Sequence, residues 1–237
     1  MPFNLSGALV PFHLLIKPRL VQPFLVVKDI RHLDFQAFFN AGYRAAVFDK
    51  DNCLTLPHVD TLVPELKESW TECKTVFGKE NVLIVSNSAG AVSDAGDIKA
   101  ESVSHSLEAP ILRHGTLKPS YRCISSIRAY FSSLPQPVTD GELLVIGDRI
   151  FTDVVLANRM QSRTRSTEHT SEKINGVGHP QGPLPILVEN LWKRDSTVPR
   201  FLEKAALKLV NRWAPVSKTD DQETLLKSFV RSNVSSN

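Results

Sequence analysis

The chain has 237 residues, with 28 Lys+Arg against 25 Asp+Glu, so its formal net charge is +3. Hydrophobic content of 42% with 22% charged residues fits a globular chain with a real core and argues against a disordered one. Three cysteines without a CxxC pair argue against a disulfide scaffold or a zinc ribbon, and the scattered histidines form no zinc-binding spacing. No apolar run approaches the roughly 20 residues of a membrane-spanning helix, and so mild a net charge gives no argument for nucleic-acid binding.

In chain order, residues 1–43 read as an N-terminal arm and lead-in. The first 28 contain Lys17, Arg19 and Lys28 and no acid, so they hold the whole +3 excess and leave the rest of the chain balanced. Such a basic, apolar segment fits a targeting or membrane-surface segment, or an arm packed on the domain, and its prolines argue against one long amphipathic helix. A core is expected over 44–192. Ala45–Phe48, Val82–Val85 and Leu143–Ile146 are short, uniformly apolar runs, the pattern of strands buried on both faces of a parallel sheet. Leu184–Val188 resembles one more strand. Helical spacing occurs over 62–77, 120–131 and 151–160, and the alternation of strand and helix predicts an α/β three-layer fold.

Residues 162–183 are poor in apolar side chains and read as a surface insertion. Residues 193–237 read as an amphipathic helix, centred on 200–213, followed by a polar tail. In that helix Arg200, Lys204, Lys208 and Arg212 recur every four residues. A stripe of this kind usually means a solvated face on a helix packed against its domain; contact with anionic lipid is the alternative.

The three central runs each end in polar residues: Asp49-Lys50-Asp51, Ser86-Asn87-Ser88 and Gly147-Asp148. Ligands of open parallel sheets bind beyond the carboxyl ends of the strands. Parallel pairing would therefore gather Asp49, Ser86 and Asp148 in one crevice, with Asp51 and Asp153 nearby. An Asp-x-Asp pair alone is common in turns, Ser86 alone could cap a helix, and Lys118 alone would read as an exposed loop lysine. Several carboxylates in one crevice are costly unless a cation neutralises them, and an oxygen-only set suits Mg²⁺.

Taken together, DKDNCLT at 49–55, VLIVSNS at 82–88, Lys118 in LKPS and GDRIFTD at 147–153 resemble, in order, the four motifs of the haloacid dehalogenase (HAD) superfamily. The resemblance covers about residues 44–160. It implies a three-layer Rossmann-like fold with a central parallel sheet, and Asp51 is the acid that the superfamily's phosphatases have. It further implies that Asp49 is the nucleophile and that Asp51 is the general acid and base. Ser86 and Asn87 would contact phosphate, and Lys118 would balance the charge of nucleophile and phosphoryl group. Asp49, the backbone carbonyl of Asp51 and Asp148 would hold Mg²⁺, with Asp153 in support. Cys53 departs from the usual Thr or Val and is expected to pack the loop. Asp-Asn after the nucleophile, the LKPS and GDRIFTDVVLANRM strings and the basic arm are similar to the mitochondrial phosphatidylglycerophosphatases of cardiolipin synthesis.

Asp51 and Ser86 stand 35 positions apart, and Ser86 and Lys118 stand 32 apart. Neither gap has room for a large cap domain, so a minimal cap or none is expected. An open site admits a phosphate carried on a large body, such as a lipid in a bilayer. The leading expectation is therefore a Mg²⁺-dependent phosphatase of an anionic phospholipid, peripheral on the matrix side of the inner mitochondrial membrane. The alternatives are the same chemistry on a phosphoprotein or soluble monoester, and a HAD-like module that binds membranes without catalysis. The sequence is silent on oligomeric state.

Overall fold

The structure is a computed structural model that describes residues 17–164, 182–190, 192, 197–214 and 220–231. Its apolar runs form strands β1 (Leu25–Val27), β2 (Ala45–Phe48), β3 (Val82–Ile84), β4 (Leu143–Gly147) and β5 (Leu184–Val188). All pairings are parallel, in the order β1-β5-β4-β2-β3. Every residue of β2 to β5 is buried, which is why these strands are apolar throughout instead of alternating.

Alternation survives in the choice of layer. Ala46, Phe48, Ile84, Leu144 and Ile146 face one cluster, with Phe35 and Phe38 of α1 (Phe35–Asn40) and Trp70 and Phe77 of α2 (Lys67–Phe77). Val103 of α3 (Ile98–Leu107) joins the same layer. Ala45, Val47, Leu83 and Val145 face the other cluster, with Ile124, Ile127 and Phe131 of α4 (Tyr121–Ser132) and Leu156 and Met160 of α5 (Val155–Thr164). The period-two geometry of a strand thus feeds two helical layers from one continuous apolar run.

The stretches between β2 and β3 and between β3 and β4 are described in full. They contain α2 and the pair α3 and α4, with loops and short 3-10 turns, and no cap domain. The predicted helix over 151–160 opens as a π turn (Ile150–Val154) before α5 begins. Of the expected insertion at 162–183, residues 165–181 lie outside the described residues, as do residues 1–16 of the basic arm.

Two boundaries differ from the sequence reading. The arm expected over 1–43 contributes an edge strand, for Leu25 pairs with Ile186 and Val27 with Val188. Three residues with Val26 exposed carry too little periodicity to mark a strand in sequence. The polar tail contains a further helix, α7 (Asp220–Ser228), beyond α6 (Thr197–Trp213). Phe229 follows α7, is buried, and stacks on Phe38 with ring centroids 4.1 Å apart. Its neighbour Val230 bridges Leu33. The end of the chain is therefore part of the core that carries β1 and α1. Removing a large buried aromatic costs about 3–5 kcal/mol. Phe229→Ala should lower unfolding free energy by about 3 kcal/mol in chemical denaturation, whereas a mere tail residue would change it little.

Candidate active site

From β2 the chain runs to β3 at one edge of the sheet and then returns to β4 on the other side of β2. The β2/β4 gap is therefore the topological switch point, where open α/β sheets bind ligands. Asp49 follows β2 and Asp148 follows β4. Asp153 is brought back by the π turn, its backbone N–H donating to Arg149 O at 2.9 Å. One ligand oxygen from each of Asp49, Asp148 and Asp153 lies within 4.8 Å of the others. Gly147 permits the approach of Asp153. A Cβ at position 147 would stand 2.4 Å from the Asp153 carboxyl carbon, closer than atoms can pack.

Lys118 joins this group from the loop before α4. Its Nζ donates to Asp49 Oδ1 and to Asp153 Oδ1, each at 2.7 Å. The lysine is buried. Burial opposes its charge, but the Asp153 and Asp49 carboxylates outweigh that and hold it protonated. Asn87 fixes its backbone. The Asn87 carboxamide accepts from Lys118 N at 2.7 Å and donates to Lys118 O at 3.4 Å. Asn87 thus positions Lys118 with the side-chain amide that the sequence reading assigned to phosphate.

Burial differs among the three acids in a way that matters. The side chains of Asp148 and Asp153 are 2% and 3% exposed, and that of Asp49 is 11% exposed. Of the three, only Asp49 keeps an opening to solvent. Burial pushes its pKa up to about 6, against the pull of Lys118 and with added repulsion from Asp153 and Asp51. Asp148 is also pushed up, by burial first and then by Asp49 and Asp153.

Asp51 points elsewhere. Its carboxylate accepts from Ser88 Oγ, from His58 N at 3.0 Å, and pairs with Lys50 Nζ at 2.9 Å. Burial raises its pKa, but Lys50, Ser88 and the His58 N–H more than offset this, leaving it below the usual range. The loop that holds it is closed by Cys53, Leu54 and Thr55 N–H groups, all donating to Lys50 O. Asn52 takes the left-handed conformation there, with φ 59°, one that Asn tolerates well. Cys53 is buried, with its thiol 3.9 Å from Ile146 O, and packs this loop on β4.

Ser86 is buried and accepts from Ser88 N at 3.1 Å. It also hydrogen-bonds the Ser88 hydroxyl at 3.0 Å, so Ser86, Ser88 and Asp51 form a chain. Sequence reasoning singled out neither Ser88 nor Lys50 for a role. Strand alternation turns Lys50 away from Asp49 and Asp51, and only the reversal of the loop brings its amine back to Asp51. Arg200 was also missed. The structure corrects the solvated stripe at this position, because Arg200 pairs with Asp148 through NH2 while Lys204, Lys208 and Arg212 are exposed.

The donor set fits a divalent cation. Asp148 Oδ1 is buried and has no hydrogen-bond partner among the described residues, a costly state for a carboxylate oxygen. Three carboxylates face two cations, Lys118 and Arg200, so the group retains a net negative charge. An all-oxygen set of this kind suits Mg²⁺.

Two outcomes are expected. Gly147→Ala should displace Asp153 from Lys118 and cut phosphate release at least about 100-fold, with far-UV circular dichroism close to wild type. The second concerns pH. Asp49 and Asp148 bind protons more readily folded than unfolded, so their contribution to stability is present at low pH and is lost as pH rises. In chelator, thermal stability should therefore fall between the ordinary carboxylate value of 3.8 and about 6. Asp49→Asn should flatten that slope.

Comparison with known proteins gives the family. Residues 5–169 match the model of a family described as mitochondrial PGP phosphatase. The mitochondrial phosphatidylglycerophosphatase of Saccharomyces cerevisiae is 36% identical over 159 residues, 67% of this chain and 84% of the yeast protein. The chloroplastic/mitochondrial phosphatidylglycerophosphate phosphatase 1 of Arabidopsis thaliana is 35% identical over 213 residues, 89% of this chain and 53% of the plant protein. A probable mitochondrial phosphatidylglycerophosphatase of Schizosaccharomyces pombe is 36% identical over 121 residues, 50% of this chain and 56% of its own. The chain thus spans most of one relative and about half of the others. No solved structure matches it. A family match over residues 5–169, with relatives named for the same activity, shows that the chain belongs to the mitochondrial PGP phosphatase family and is an enzyme of the phosphatase class.

Proposed function

We propose that this protein removes the terminal phosphate of phosphatidylglycerophosphate, giving phosphatidylglycerol and inorganic phosphate for cardiolipin synthesis. The observation that carries this reading is the bridge of Lys118 between Asp49 and Asp153, beside the unpartnered oxygen of Asp148. Relatives named for this reaction support the choice of substrate.

Asp49 attacks phosphorus from its solvent-facing side, and the bond from phosphorus to the glycerol oxygen breaks. An aspartyl-phosphate forms on Asp49. The departing alkoxide takes a proton from Asp51. In its resting contacts Asp51 is ionised; the approach of a phosphate dianion raises its proton affinity by like-charge repulsion, and it takes up one proton from solvent as the substrate binds. Having given up that proton, Asp51 takes one from water, which attacks the same phosphorus and releases Asp49. Lys118 stays protonated throughout and offsets charge on Asp49 and on the phosphoryl oxygens. The hydroxyls of Ser86 and Ser88 and the loop N–H groups offer donors at the adjoining strand end.

Mg²⁺ bound by Asp49, Asp148 and the Asp51 backbone carbonyl, with Asp153 in support, would neutralise phosphoryl charge and fix its orientation. The absence of a cap domain between β2 and β4 supports a lipid-borne substrate, since the phosphate can enter while its acyl chains stay in a bilayer. No helix among the described residues is long and apolar enough to cross a membrane. We place the enzyme as a peripheral protein on the matrix side of the inner mitochondrial membrane, in keeping with its mitochondrial relatives.

Full-length protein should release phosphate from phosphatidylglycerophosphate in mixed vesicles. Chelation should abolish the activity and added Mg²⁺ restore it. Asp49→Asn should lower turnover by at least about 10⁴-fold, while equal turnover in that variant would overturn the mechanism. Faster turnover of soluble monoesters than of the lipid would overturn the substrate.

A further inference from the structure

Helix α6 has two unlike faces. Its inner face is latched to the catalytic edge. Arg200 pairs with Asp148, Glu203 accepts from Arg149 Nε at 3.1 Å and from Ile150 N at 3.2 Å, and Val210 is buried with Val21, Ile150, Val154 and Leu187. Among the described residues, its outer face is exposed. Phe201, Leu202, Leu209 and Trp213 are 72%, 56%, 54% and 80% exposed. Lys204, Lys208 and Arg212 are exposed beside them. At 100° per residue, Lys204, Lys208 and Arg212 form one strip, with Phe201 among them. Ala205, Leu209, Leu202 and Trp213 form the adjoining strip. The only acid in the helix is Glu203, and it is buried on the inner face.

We propose that the outer face of α6 is the surface by which this protein lies on an anionic lipid bilayer. An apolar strip flanked by cations, with no acid, is the pattern of a helix seated at the level of the lipid headgroups. The charge pattern selects this occupant. A second copy of the same face would set three cations against three, and residues 1–28 of this chain carry cations and no acid. The proposal deepens the lipid-phosphatase reading and rests on it for one point: the dock begins beside Arg200 and continues along the same helix, which Arg200 and Glu203 latch to the catalytic edge, so that edge is held near the membrane surface.

The test uses the full chain and sedimentation with phosphatidylcholine vesicles, with and without phosphatidylglycerol. Wild type should bind the anionic vesicles, and added salt should weaken that binding. Leu209→Ser with Trp213→Ser, and separately Lys204→Gln with Lys208→Gln and Arg212→Gln, should each weaken it at least about tenfold. Hydrolysis of a soluble aryl phosphate by the Leu209→Ser/Trp213→Ser variant should match wild type and shows that it is folded. Unchanged vesicle binding in both variants would overturn the dock. So would a wild-type dimer, seen by light scattering, that the Ser variant splits without losing vesicle binding. Docking through α6 without release of phosphate from phosphatidylglycerophosphate would leave the dock standing and overturn the substrate. Equal hydrolysis of that lipid in vesicles by wild type and variants would do the reverse.

Discussion

The buried bridge of Lys118 between Asp49 and Asp153 is the interaction on which the site depends. Three carboxylates cannot share a buried space without cations, because burial and mutual repulsion both disfavour their charged forms. Lys118 supplies one cation within hydrogen-bond distance of two of them, and Arg200 supplies another to the third. Much of the surrounding structure serves this placement. Asn87 holds the Lys118 backbone, Gly147 leaves room for Asp153, and the π turn after β4 returns Asp153 toward the strand it has just left. Part of the negative charge remains, and it becomes useful when a divalent cation and a phosphate share the space.

The second acid of the first motif is kept apart from this cluster. Lys50, Ser88 and the His58 N–H hold Asp51 as a carboxylate with partners of its own. Two acids only two residues apart therefore have opposed electrostatics, Asp49 raised by burial and Asp51 lowered by its partners. Divergent environments of this kind let paired carboxylates take different roles in acid–base chemistry. A tight loop in which three N–H groups converge on the Lys50 carbonyl separates the partners of the two acids, and Ser88 reaches Asp51 from the neighbouring strand end.

Helix α6 links the chemistry to the exterior. Its Arg200 and Glu203 engage the residues that follow β4, and its other side presents aromatic and aliphatic groups among cations. Among the described residues, no cap domain stands between β2 and β4. A helix placed beside the catalytic edge can orient that edge toward the body that carries the phosphate. The C-terminal region then has two physical tasks: α6 serves the site, and Phe229 beyond α7 closes the core against Phe38.

Much of this was legible in the residues. The uniformly apolar runs at 45–48, 82–85 and 143–146 marked strands covered on both faces, since only two helical layers can bury such runs. Their polar ends marked the crevice, because parallel strands all deliver their carboxyl ends to one side. The motif spacing left no room for a large cap between β2 and β4, and none stands there. Other features were decided by tertiary structure. Val26 and its two neighbours become a strand only because β5 offers an edge to pair with. Ser88 and Lys50 reach Asp51 only because a loop reverses the strand alternation. Arg200, spaced like its solvated neighbours Lys204 and Lys208, turns inward because Asp148 lies under that turn of the helix. Sequence alone determined which chemistry the chain could hold, through local pattern and charge. Which long-range partners complete it was fixed only by packing, because those contacts span from 35 residues, between Lys118 and Asp153, to 69, between Asp49 and Lys118.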